Sequence, residues 1–245
     1  MTRRGLLVAL SGVDSAGKST QREPLLDALR SLGYEPITLW TRAGYTPGIE
    51  SAKALVNRLR GRKKAPRGEA VSDKPSRYPR RAANLGHPLK RRLWLTCALL
   101  DLLWTYGVRV RSWRSRGRAV VCDRYLLDCL VDFRVNFPDD DVEHGFLGRY
   151  LRRFSPKPDV AFCLVIPAEL SMERSRGKSR FHWETTDVLE QRWQAYTDAS
   201  GELGVQRIDG SLPREEIART LRRAVSDVLP EAGVQPERSR AAGER

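Results

Sequence analysis

Residues Leu6 to Thr20 read LLVALSGVDSAGKST, and Gly12 to Ser19 satisfies G-x-x-x-x-G-K-[ST] at every fixed position. The apolar run Leu6 to Leu10 predicts a buried parallel strand, and the residues after the glycines predict a helix. A strand that empties through a glycine turn into a helix commits the chain to an α/β layout. Gly12 and Gly17 let the backbone curl so that successive amides converge on one anion, toward which the helix also points the positive end of its dipole. The segment is therefore a phosphate-binding loop. Its candidate ATP contacts are Gly12, Val13, Asp14, Ser15, Ala16, Gly17, Lys18, Ser19 and Thr20. Lys18 is placed to reach the β- and γ-phosphates, and the Ser19 hydroxyl to reach Mg²⁺.

The 245 residues, 40% of them hydrophobic, suffice for one α/β domain with a full core. We expect a single domain over residues 1–229 and a disordered polar tail over 230–245. Periodicity predicts a helix to Leu32 closed by Gly33, a second strand from Pro36 to Trp40 that delivers Thr41 and Arg42 to its carboxyl end, and a short helix over 49–60. Between Arg58 and Arg92 the sequence carries thirteen Lys/Arg against two acids, with prolines at 66, 75, 79 and 88, and reads as a basic insertion. With Tyr78 its one aromatic up to Lys90, this segment ranks nucleic acid lowest among its partners, below an anionic substrate and a weak membrane-surface contact.

Leu89 to Trp113 is apolar at helix spacing, and the charges at its ends together with Asp101 inside it argue for a core helix over a membrane span. Further strands are predicted at Ala119–Cys122, Val160–Ile166 and Val205–Ile208, with helices at Asp187–Ala199 and Pro213–Leu229. The expected fold is a three-layer α/β sandwich around a five-stranded parallel sheet. Cys97, Cys122, Cys129 and Cys163 form no C-x-x-C pair and read as thiols of a reducing compartment; with no membrane span or leader in view, the expected location is the cytoplasm.

The third strand runs into Asp123-Arg124-Tyr125. An acid at the tip of a buried strand beside the glycine loop is a candidate metal-side carboxylate, with Ser19 the other metal contact, and Arg124 beside it can grip a phosphate. Asp128 and Asp132 are weaker candidates, too far along the chain to share a helix face with Asp123. Residues 174–182, with Arg174, Arg176, Lys178 and Arg180 around Gly177, read as a closing lid.

The order of these motifs resembles the thymidylate kinase family, over nearly the whole length except the basic insertion and the tail. The resemblance rests on VALSGVDSAGKSTQ, on Thr41-Arg42 followed by Thr46-Pro47-Gly48 where the family carries T-R-E-P-G-G-T, on Asp123-Arg124-Tyr125, and on KPDVAFCLVIPAELSMERSRGKSR. It implies that Asp14 approaches the acceptor sugar, that Lys18 and Ser19 contact ATP and Mg²⁺, and that Arg42, Arg124 and Tyr125 line the acceptor. It also implies a metal-side or base-like role for Asp123 and a catalytic lid contribution from Arg174, Arg176 and Arg180, since Ser15 is not the basic residue some members carry. Two departures fall on the acceptor side. The stretch where members carry a phosphate-holding Arg reads Leu99-Leu100-Asp101-Leu102-Leu103-Trp104, and Glu-Pro is replaced by Ala43-Gly44.

The expectation is thus a kinase that uses Mg·ATP on a nucleoside monophosphate such as dTMP, with a homodimer built on the long helix. Two alternatives stay open: a related kinase for a sugar or lipid-linked acceptor, and a non-catalytic ATP-binding module. A GTPase is disfavoured by the lack of N-K-x-D.

Overall fold

The structure is a computed structural model, which describes residues 4–42, 86–176 and 186–229. Five parallel strands, β1 (Leu6–Gly12), β2 (Pro36–Trp40), β3 (Ala119–Asp123), β4 (Val160–Val165) and β5 (Gln206–Asp209), lie in the order β2-β3-β1-β4-β5. β1 is central and buried along its length, with Leu10 in register with Asp123 of β3 and Gly12 with Leu164 of β4.

Alternation along each strand sends neighbouring residues to opposite faces, and both faces are covered. On one, Leu6, Val8, Leu10, Ala119 and Val121 pack with helices α1 (Lys18–Ser31), α6 (Thr186–Leu203) and α7 (Arg214–Asp227). On the other, Leu7, Ala9, Val120 and Cys122 pack with α2 (Pro88–Ser115) and α4 (Phe146–Phe154). Helix α3 (Leu126–Asn136) contributes to both cores and is buried almost all round. The expected three-layer α/β architecture is observed.

α2 is long and apolar enough to cross a bilayer, and here Leu95, Ala98, Leu99, Leu102, Tyr106 and Val110 bury one of its faces in the core. It starts at Pro88, so the last residues of the expected basic insertion are helical: proline at the first helical position gives up an N–H that would have no partner, and His87 accepts from the Leu89 amide instead. A π-helical segment, Trp104–Val110, interrupts it, a feature periodicity did not predict. The expected helix over 49–60, most of the basic insertion, most of the lid and the tail lie outside the described residues.

Candidate active site

β1 opens into the glycine loop at a point where no side chain fits. Gly12 has φ +138, and a Cβ there would lie 2.0 Å from the Leu164 carbonyl oxygen, which also accepts from the Val13 amide at 3.2 Å. Gly17 is required for a different reason: a Cβ would meet nothing within 4 Å, but φ is +95. Ser15 also takes a left-handed φ of +62, and its Oγ lies 2.7 Å from Ser175 Oγ on α5 (Ala168–Arg176). Ser171 Oγ donates to the Asp14 carbonyl at 2.8 Å, a second tether from α5 to the loop.

Lys18 is the first residue of α1 and is buried. Its Nζ donates to the carbonyls of Gly12 and Val13, both at 2.7 Å, so two of three ammonium donors hold it against the inner side of the loop. Burial lowers its pKa to about 8; Arg124 adds to that, while Asp14, Asp128 and Asp123 oppose it. An ammonium under this penalty gains when a phosphate arrives.

Asp123, at the end of β3, is 6% exposed, with Oδ2 3.5 Å from Arg22. Burial raises its pKa, with Lys18 and Arg124 pulling the other way, so Lys18 and Asp123 feel one another's charge. Arg124 follows with φ +75, a conformation a non-glycine residue adopts only when its surroundings enforce it. The Arg124 amide donates to Leu10 O at 2.9 Å and its carbonyl accepts from Thr41 Oγ1 at 2.9 Å, which fixes the turn. The π-helical segment serves the same junction, because it carries the fully buried Tyr106, whose hydroxyl lies 2.7 Å from Thr41 Oγ1.

Held this way, the Arg124 guanidinium forms an ion pair with Asp14 and donates to Asp128 at 3.2 Å and to the Tyr196 hydroxyl at 3.3 Å. Tyr196 donates in turn to Asp128 at 2.8 Å, while the other Asp128 oxygen caps α3 through the Tyr125 amide at 3.0 Å. One turn along α3, Asp132 accepts from Arg42 Nε at 3.0 Å and from Arg192 of α6 at 2.9 Å. Burial alone would raise the Asp14 pKa; Arg124, Lys18, Arg42 and Arg192 together outweigh it and hold the carboxyl well below the usual range. Four cations therefore converge on the space beside the loop, set against Asp14, Asp123, Asp128 and Asp132.

Several candidates sit differently from expectation. Asp128 and Asp132, ranked low as metal-side acids, orient the arginines, because α3 buries them against α6. Tyr125 is 2% exposed, donates its hydroxyl to Pro156 O at 2.8 Å and packs on Tyr106 with ring centroids 4.4 Å apart, so it builds the core rather than facing an acceptor. Arg174 donates to Gly210 O at 2.8 Å, which ties α5 to the turn after β5. The Arg176 side chain and Arg180 lie outside the described residues. Arg192 and Tyr196 were not singled out from the sequence; their one signal was a shared face at i, i+4 on a predicted helix. Asp101 has a buried Oδ2 with no hydrogen-bond partner among the described residues, and burial raises its pKa.

A parallel sheet ordered 2-3-1-4-5, with a glycine loop closing on a buried lysine at the end of its central strand, defines the P-loop nucleoside-triphosphatase fold class. No family model matches the chain. It is 27% identical to the thymidylate kinase of Gluconobacter oxydans, over 96% of this chain and the whole of that protein. It is likewise 27% identical to that of Dinoroseobacter shibae, over 89% of this chain and 95% of the relative. For the thymidylate kinase of Rhodopirellula baltica the identity is 29%, over 89% and 78%. These similarities, at 27–29% identity over about nine-tenths of the chain, support a distant relationship to the thymidylate kinase family.

Proposed function

We propose that the chain is an ATP-dependent phosphotransferase that moves the γ-phosphoryl group of Mg·ATP to a nucleoside monophosphate, dTMP being the simplest acceptor. The observation that carries this reading is the placement of buried Lys18 inside a glycine loop beside Asp123 and the Arg42, Arg124 and Arg192 cluster. That the similar proteins are named thymidylate kinases supports the acceptor.

Loop amides and Lys18 would take the donor phosphates, and Arg42 and Arg124 the acceptor phosphate, so that catalysis is positioning and charge neutralisation. Ser19 and Asp123 offer oxygen donors only, which suits Mg²⁺, an ion that keeps several waters and needs few protein ligands. They would hold the ion, which when bound neutralises charge on the phosphates. The arginines are already braced by Asp14, Asp128 and Asp132, so an acceptor phosphate would meet guanidinium planes fixed before it arrives. A lid contribution from Arg176 and Arg180 belongs to this proposal, as does a cytoplasmic location, supported by four free cysteines.

A second acceptor reading is favoured by Asp101. Where the family resemblance calls for a phosphate-holding Arg, this stretch of α2 carries Asp101 and no arginine, which suits a sugar or another hydroxylated acceptor better than a second phosphate. Purified protein with Mg·ATP and a panel of deoxynucleoside monophosphates, sugars and polyprenols, scored by product mass, decides between them. The main reading expects dTDP. Product from a sugar or polyprenol alone would replace it with the second, and ATP binding without any product would leave only a nucleotide-binding module.

A homodimer is proposed on separate grounds. α2 exposes Leu89, Leu93, Leu100, Trp104 and Val108, and α4 beside it exposes Phe146, Tyr150 and Phe154, both at helical spacing. Sedimentation equilibrium tests it: Trp104→Glu should yield monomer, and a monomeric wild type would refute it.

A further inference from the structure

At the end of the sheet away from the glycine loop, where β1, β3 and β4 begin, a cavity of about 540 Å³ opens between the C-terminal ends of α2 and α4. Five cations line it: Arg111, Arg114, Arg152, Arg153 and Lys157. The Arg111 guanidinium is anchored on the carbonyls of Gly107 and Phe154 at 3.2 and 2.9 Å, and Arg114 on those of Gly5 and Lys157 at 3.3 and 3.2 Å. Carbonyl anchors fix the orientation of a guanidinium and leave its charge in place. Arg114 is balanced by Asp159, which Arg4 shares, and Arg152 approaches Glu143 and Glu202 at 3.6 and 3.9 Å. Arg111, Arg153 and Lys157 have no carboxylate partner among the described residues. The cavity lining thus carries more cations than carboxylates and presents a positive field to an entering anion.

We propose that this cavity binds a multiply charged phosphate-bearing anion, at a site separate from the glycine loop. The remaining lining residues are Ser155 and Pro156. With no aromatic side chain to stack a base, recognition falls on the anionic groups, for which oriented guanidinium forks are the suited partners. The volume admits several linked phosphates, and the same chemistry could be presented by a soluble condensed phosphate or by clustered phospholipid headgroups.

The test titrates the full chain with tripolyphosphate by calorimetry. Wild type should show two binding events: one lost in Lys18→Ala, and the other weakened tenfold or more in Arg153→Glu/Lys157→Glu. Both of those positions are exposed, so the double variant should keep the wild-type circular dichroism spectrum and its ATP affinity. Flotation with vesicles of phosphatidylglycerol or of phosphatidylcholine separates the sources. Capture by the anionic vesicles alone, lost in the double variant, assigns the ligand to headgroups, whereas tripolyphosphate binding without capture assigns it to a soluble anion. Unchanged titration and unchanged flotation in the charge-reversed protein would overturn the proposal. Because the second event does not involve Lys18, its loss or survival is independent of the kinase reading.

Discussion

Asp132→Asn is the most informative single substitution in the site. Asp132 is 5% exposed and is the carboxylate that Arg42 and Arg192 share; Arg192 itself is 6% exposed. Asparagine keeps the shape and one acceptor oxygen, turns an NH₂ toward the other guanidinium, and removes the charge between two cations. The loss includes one charge-assisted hydrogen bond, about 1.5–3 kcal/mol. Removing the one negative charge that two guanidinium groups face together pushes the cost toward the roughly 3–5 kcal/mol of a broken buried pair. Because the Arg42 side chain is 23% exposed and is relieved by water, we expect about 3 kcal/mol in total. For a chain of this size that corresponds to a fall in Tm of about 6–12 °C, read by thermal unfolding or by the urea midpoint at constant m. Phosphate in the buffer should recover part of the loss, since the released arginines then have an anion to hold. A loss below about 1 kcal/mol, or one indifferent to phosphate, would show that the two arginines do not depend on Asp132.

Gly12→Ala should destabilise by about 4 kcal/mol in denaturant unfolding, because the new methyl group meets a backbone carbonyl and φ is unfavourable. Gly17→Ala, with open space around it, should cost only about 1–3 kcal/mol, and equal losses at the two positions would contradict the geometry. Lys18 gives a pH signature. Its folded pKa of about 8 lies below the ordinary 10.5, so between those values the unfolded chain binds more protons and Lys18 makes stability rise with pH. A bound triphosphate restores the charge, so nucleotide binding should take up close to one proton at about pH 9 and its affinity should fall roughly tenfold per pH unit above about 8. Calorimetry in two buffers of different ionisation enthalpy measures the uptake, and none at that pH would refute the buried ammonium.

The glycine loop, the strand ends and the order of elements were legible in the sequence because each rests on local rules. Four residues from Gly12 to Ser19 carry the loop, continuous apolar runs mark strands buried on both faces, and Gly33 and Gly117 close helices with φ of +76 and +74. What stayed hidden depends on partners distant in the chain. Asp128 and Asp132 gain their roles from Tyr196 and Arg192, some sixty residues later, on a helix whose arginine looked like any surface charge. The π-helical segment leaves no periodic trace, yet it carries the Tyr106 hydroxyl that meets Thr41. Arg174 read as a lid cation because charge patterning gives sign without direction, and the side chain turns to Gly210.

The central claim is that the amino-terminal loop grips a nucleoside triphosphate through Lys18. Calorimetric titration of wild type and Lys18→Ala with Mg·ATP tests it directly. The account predicts that wild type binds, that the variant binds at least about 100-fold more weakly, a difference of about 2.7 kcal/mol, and that both melt as folded proteins. Equal affinity in the two proteins, or no nucleotide binding by wild type, would contradict it.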